Sequence, residues 1–175
     1  AMSVELVLIG GGKMGAAMLS GWLKTNLSAE NVLVVEPFAE TRAQLEKSMG
    51  VRCVADAADI PDTVHPKTIV LAVKPQMMDS ALPAYARFAK ADCLFLSIAA
   101  GKTISYFENI LGADAVIVRA MPNTPAAVGR GITVGYPNGQ VSEDQRQWAD
   151  TLLAAVGEVA WVDDEGMIDA VTALS

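Results

Sequence analysis

Short apolar runs recur along this chain, separated by stretches with helical periodicity, and this alternation limits the possible folds more than any other feature. The runs are Val4–Ile9, Asn31–Val35, Val51–Val54, Thr68–Val73, Cys93–Ile98 and Ala115–Arg119, with later ones at Ile132–Gly135 and Val159–Val162. Met14 to about Lys24 and Ala39–Ser48 read as helices, the second ended by Gly50. A strand buried on both faces reads as a continuous apolar run, which is the signature of a parallel sheet. Parallel neighbours need crossover connections, and these are right-handed. The expected fold class is therefore α/β, an open, doubly wound, mainly parallel sheet. Ser142 is expected to cap a helix between the last two runs, with Glu143 and Asp144 in its first turn.

Chemistry concentrates where these runs end. Gly10-Gly11-Gly12-Lys13-Met14-Gly15 follows the first run and opens the first helix. It holds the G-x-G-x-x-G spacing of a Rossmann dinucleotide fingerprint. Gly10 permits the tight turn, Gly12 lets a pyrophosphate approach the backbone, and Gly15 lets the helix pack on the strand. Free N–H groups and the dipole at the start of a helix attract phosphate. Glu36 ends the second run, 21 residues after Gly15. An acid at this spacing accepts hydrogen bonds from the adenosine ribose, which favours NAD over NADP because a 2′-phosphate beside it is repelled. Arg42 is placed to offset that repulsion.

Three further stretches lie at expected carboxyl ends of strands, where open α/β sheets bind ligands. Ala72-Val73-Lys74-Pro75-Gln76 turns the backbone of Val73 and Lys74 toward a cofactor, and Pro75 stops the strand and suits a first helical turn. Ser97-Ile98-Ala99-Ala100-Gly101-Lys102-Thr103 offers small side chains against which a flat ring can lie. Met121-Pro122-Asn123-Thr124-Pro125 places the Asn123 amide, both donor and acceptor, on a backbone fixed by two prolines.

Composition narrows the partners. The net charge of −7 and pI near 4.6 disfavour nucleic acid and anionic membrane surfaces. Local backbone dipoles still hold a dinucleotide within such a protein. Cys53 and Cys93 each adjoin apolar residues and are expected to be buried, reduced thiols; no metal site is expected, since clustered ligands are absent. His65, before Pro66, is expected in a surface loop. No apolar run approaches a membrane span, and the expected location is the cytoplasm.

Taken together, IGGGKMG (residues 9–15), LAVKPQ (71–76), SIAAGKT (97–103), RAMPNTP (119–125) and DAVTALS (169–175) resemble pyrroline-5-carboxylate reductase. RAMPNTP and DAVTALS are the most specific of these, and the resemblance runs in order along the whole chain. It implies hydride transfer from NAD(P)H to the C=N carbon of 1-pyrroline-5-carboxylate, giving L-proline. It also implies cofactor contacts at Gly10, Gly12, Lys13, Met14, Gly15, Glu36, Val73, Lys74 and Ala100, with Ala57 and Asn123 as additional candidates. No catalytic acid is assigned, because the cofactor carries the chemistry and the protein supplies position and electrostatics. Glu36 departs from the pattern: many members carry a small hydroxyl or amide residue there, which tolerates a 2′-phosphate. NADP and NAD therefore both stand, the family usage pointing to the first and Glu36 to the second.

The last residues complete the expectation. Asp163 or Asp164 caps a helix with Met167, Ile168, Val171 and Leu174 on one face. In the family, a stretch like DAVTALS leads into an all-helical domain that makes the homodimer or a larger homo-oligomer and supplies the imino-acid pocket. Residues 1–162 are thus expected to form the dinucleotide-binding domain, and 163–175 the start of a linking helix toward an absent helical domain. On this expectation the chain alone binds the dinucleotide without turnover. Two alternatives stay open: another NAD(P)-dependent imine or hydroxy-acid reductase, or a dinucleotide-binding module without chemistry of its own.

Overall fold

The computed structural model describes residues 3–123 and 131–168. Its strands are β1 (Leu6–Ile9), β2 (Val32–Val35), β3 (Arg52–Val54), β4 (Thr68–Leu71), β5 (Leu94–Ser97), β6 (Val116–Asn123), β7 (Ile132–Pro137) and β8 (Glu158–Trp161). They form one sheet in the order β3-β2-β1-β4-β5-β6-β7-β8. All pairs are parallel except β6 with β7, so β7 and β8 run against the rest. The expected doubly wound, mainly parallel Rossmann-type sheet is what the chain forms.

The α-helices are α1 (Lys13–Thr25), α2 (Ala39–Met49), α3 (Met78–Ala81), α4 (Ile104–Leu111) and α5 (Glu143–Leu153). Successive strand residues point to opposite faces, so each apolar run feeds two cores. Leu6, Leu8, Val34, Val70, Leu96 and Val118 pack with Met18, Leu19 and Trp22 of α1, Leu45 of α2 and Leu152 and Leu153 of α5. Val7, Ile9, Val35, Ile69, Phe95 and Ile117 face the other way, against Leu82, Tyr85, Phe88 and Phe107. The buried Trp22 indole donates to the Leu152 carbonyl at 2.8 Å, which ties α1 to α5 without leaving a polar atom unpaired.

Several local readings meet their physical cause. Ser142 accepts from Gln145 N–H while Gln145 accepts from Ser142 N–H, a reciprocal capping box at the start of α5. Gly50 ends α2. Pro75 occupies the first turn of a 3-10 segment, Pro75–Met77, rather than of a long helix. The face beyond it is covered by the short α3 and a second 3-10 stretch, Leu82–Phe88, which carries Pro83 in its own first turn. Proline lacks the N–H that a continuing α-helix needs, so helical structure is broken here.

One expectation is corrected and others fall outside the described residues. Cys93 is buried but Cys53 is only half-buried, because it lies on edge strand β3 with a neighbour on one side alone. Burial raises both thiol pKa values, Cys53 to about 11 and Cys93 to about 12. His65 is exposed in a loop, as expected. Asp164 is the cap of the final turn: its carboxylate accepts from Gly166 N–H at 2.9 Å, and its carbonyl accepts from Met167 N–H. Ile168 is buried and Met167 exposed. Thr124, Pro125 and the DAVTALS stretch, with Val171 and Leu174, lie outside the described residues.

Candidate dinucleotide site

Strand register places the site. Ile9 is level with Val35 and Leu71, Leu71 with Ser97, and Ser97 with Arg119, so the carboxyl ends of β1, β2, β4 and β5 share one edge. Past this line β6 runs on to Asn123, paired with Ile132. The chain turns left from β1 to β2 and β3, and right from β4 onward, so a crevice opens between the ends of β1 and β4.

The glycine loop sits at this crevice. Gly10 has φ +98°, and a Cβ there would meet the Ala72 carbonyl oxygen at 2.8 Å, so both backbone conformation and the β4 neighbour exclude a side chain. A Cβ on Gly15 would collide with the Gly10 carbonyl, which is why α1 can lie this close to its own strand. Gly12 differs. It is exposed, and a Cβ there would have nothing within 4 Å. The space in front of Gly12 is the cradle that a pyrophosphate needs and a side chain would fill. Gly12 is also the N-cap of α1 and supplies no side-chain cap, and no acid lies in the first turn. The first amides of α1 thus keep their positive end open to an anion. Lys13 and Met14 are exposed beside it.

Glu36 is 6% exposed. Its Oε1 accepts from Gly11 N–H at 2.9 Å and its Oε2 from Phe38 N–H at 2.8 Å. One carboxylate therefore ties the glycine loop to the turn after β2. Arg42, expected to offset the repulsion of a 2′-phosphate, donates from Nη1 to the carbonyls of Glu36 and Pro37 at 2.8 and 2.9 Å. It holds the turn after β2. Phe38 stands 71% exposed next to this turn, a feature that the spacing of acids and glycines does not signal. Ala57 is buried, beginning a 3-10 turn capped by Asp56, whose side chain accepts from Ala58 N–H.

On the other side of the crevice Val73 is half-buried and Lys74 exposed, directly before the Pro75 turn. Ala99 is buried and Ala100 exposed in the loop after β5. Asn123 ends β6 at the same edge. A small polar cluster lies on the rim: Tyr106 donates its hydroxyl to Asp79 Oδ1 at 2.5 Å, and Lys102 Nζ lies 3.7 Å from the same oxygen and 4.5 Å from the Tyr106 ring centre. The Tyr106 bond, then Lys102, lowers the Asp79 pKa, while desolvation followed by Asp79 raises Tyr106 to about 12. Sequence reasoning gave Arg119 no contact role and did not single out Glu165; the two form an ion pair at 2.7 Å, and Glu165 also accepts from Ile104 N–H after the Ala100 loop. Arg119 opens the RAMPNTP stretch but Glu165 lies in no quoted motif, and only the fold brings the two together.

A separate cavity of about 280 Å³, lined by Asp62, His65, Arg87, Lys90 and Cys93, precedes β4 and β5 and so lies at the opposite edge of the sheet. It is remote from the glycine loop. Among the described residues no group of His, Cys, Asp and Glu is placed to hold a metal ion, and no helix is long and apolar enough to cross a membrane.

Residues 5–101, from the start of β1 to the Ala100 loop, match the family model described as NADP oxidoreductase, coenzyme F420-dependent. The chain belongs to this family. Within it, the similarity that the sequence motifs imply is present. A pyrroline-5-carboxylate reductase of Pseudomonas aeruginosa is 38% identical over 171 residues, covering 98% of this chain and 62% of the relative. The structure of a pyrroline-5-carboxylate reductase from Coxiella burnetii superposes with a TM-score of 0.89 at 30% identity, over 99% of this chain and 64% of that one. A Plasmodium falciparum pyrroline carboxylate reductase with NADP bound gives 0.79 at 26% identity, over 99% of this chain and 63% of that one. The chain thus spans less than two thirds of the length of these relatives.

Proposed function

We propose that this chain is the dinucleotide-binding part of an NAD(P)H-dependent pyrroline-5-carboxylate reductase. The observation that carries the reading is the glycine loop: Gly10 and Gly15 are packed against backbone, while Gly12 faces open space at the β1–β4 crevice. Its likeness to the reductases of Pseudomonas and Coxiella supplies the reaction. In this reading the first amides of α1 and Gly12 bind the pyrophosphate, Glu36 faces the adenosine ribose, and Val73, Lys74, Ala100 and Asn123 border the ring, with Ala57, Lys13 and Met14 around them. When bound, the cofactor would supply a hydride to the C=N carbon and leave oxidised, the imine nitrogen having taken its proton from solvent. The small side chains of Ala99 and Ala100 let the ring lie against the sheet edge and exclude water from it.

Residues 1–162 form the cofactor domain in this proposal, and the turn at Asp164 begins the link to a helical part. That part completes the imino-acid pocket and makes the homo-oligomer, and a cytoplasmic location belongs to the same reading. Between the cofactors, the family description and the Plasmodium relative support NADP, while the buried Glu36 carboxylate supports a preference for NADH. The test is pyrroline-5-carboxylate-dependent oxidation of NADH and of NADPH by the full-length protein. Turnover with a preference for NADH is expected. Dinucleotide binding without turnover of the imine would leave a binding module or a reductase of another substrate.

A further inference from the structure

We infer that Glu165 is a positioning residue for the ring half of the site, holding the Ala99–Thr103 loop in place from across the domain. The inference rests on the reading that this loop borders the nicotinamide. The loop leaves β5 at Ser97, whose register is fixed by Leu71 on one side and Arg119 on the other. It ends at Thr103, the N-cap of α4, whose hydroxyl accepts from Tyr106 N–H at 3.1 Å. The next amide, Ile104 N–H, is one that α4 cannot satisfy by itself. Glu165 Oε2 accepts it at 2.8 Å, although 61 residues separate the two. The same oxygen accepts from Arg119 Nη1 at 2.7 Å.

Arg119 rises from β6 with its side chain 3% exposed. Glu165 therefore joins a buried cation on the rigid sheet to the first helical amide after the loop. Charge-assisted bonds of this kind are short and directional, and here they are part-buried, with the Arg119 end enclosed and the Glu165 side chain 28% exposed. The loop is also held by burial of Ala99 and by Lys102. Lys102 and Tyr106 meet Asp79 at the exposed rim, where ion pairs contribute little. Nor is Glu165 needed to fasten its own segment, since Asp164 caps that turn and Ile168 is buried. What the carboxylate adds is a fixed distance between Arg119 and the end of the loop carrying Ala100.

The experiment separates the two halves of the ligand. Binding of NADH and of ADP-ribose, which lacks the ring, is measured for the wild type, Glu165→Ala and Glu165→Gln, with NADH emission as a readout of the ring's surroundings. Glu165→Ala is expected to lose most of the emission change on binding and to weaken NADH about tenfold, the scale of one charge-assisted bond, with ADP-ribose held within about twofold. Glu165→Gln keeps an acceptor for Ile104 N–H and should fall between, and it carries the test if the alanine variant does not fold. Equal losses for both ligands, or no change in either, would overturn the inference. Failure of the wild type to bind ADP-ribose would overturn the dinucleotide reading itself, and the inference with it.

Discussion

The two halves of the crevice are built by different means. On the β1–β3 side the parts are close in sequence or set by one spacing: a glycine loop with an open cradle at Gly12, and Glu36 whose two oxygens grip Gly11 and Phe38 amides. Backbone conformation and one buried carboxylate are enough. On the β4–β6 side the equivalent loop is small at Ala99, Ala100 and Gly101, and its own side-chain ties are Lys102 at the rim and the Thr103 cap. It is also tied through Arg119 and Glu165, brought in from β6 and from the turn after β8. In the proposed reading, a pyrophosphate would meet backbone amides on the first side, and a flat ring would meet small residues held by distant ones on the second.

The sharpest way to break this comparison is to fill the cradle. Gly12 has φ −72° and ψ −167°, an extended conformation open to any residue, and no neighbour in reach. Gly12→Val should fold normally by circular dichroism and lose dinucleotide affinity by at least about 100-fold, roughly 3 kcal/mol. Unchanged affinity in calorimetry would move the cofactor away from this loop. Gly10→Ala should do the reverse and damage the fold first. Its strained φ and the Ala72 carbonyl predict a loss of about 2–3 kcal/mol in urea unfolding. A stability equal to wild type would mean that the turn relaxes at no cost.

Glu36 tests whether one carboxylate serves both the loop and the ribose. Glu36→Ser orphans the Gly11 and Phe38 amides and should cost roughly 1–3 kcal/mol of stability. It should also shift preference toward NADPH by roughly 1–3 kcal/mol as repulsion of the 2′-phosphate is removed. If the wild type already prefers NADPH strongly, Glu36 is only a loop tie. The smallest effect lies at the rim. Tyr106 carries a raised pKa of about 12, so its contribution is complete below the ordinary tyrosine value near 10 and is lost as pH rises through 12. Asp79→Asn should move its ultraviolet titration to lower pH. An unchanged curve would show that the Asp79 bond does not persist in solution.

How much of this was legible in sequence follows the same division. The β1 glycine loop, the Ser142 cap and the Gly50 stop were readable because each is governed by contacts within a few residues. Strand ends were less so: the run to Val73 stops pairing at Leu71, and the run to Arg119 continues to Asn123 because β7 comes back against it. The burial expected of Cys53 changed for the same reason, since a side chain's surroundings depend on which neighbours the sheet order supplies.

By itself the sequence determined the α/β class and the glycine turn between β1 and α1, since periodicity and glycine placement are local physics. Only the tertiary structure decided that Glu36 would be spent on backbone amides, that Gly12 would face open space, and that Glu165 would reach Arg119 and Ile104. The Glu36–Gly11 and Glu165 bonds are meetings of groups far apart in the chain. No spacing rule encodes such a meeting, because its distance is set by sheet register and by the packing of two cores on opposite faces.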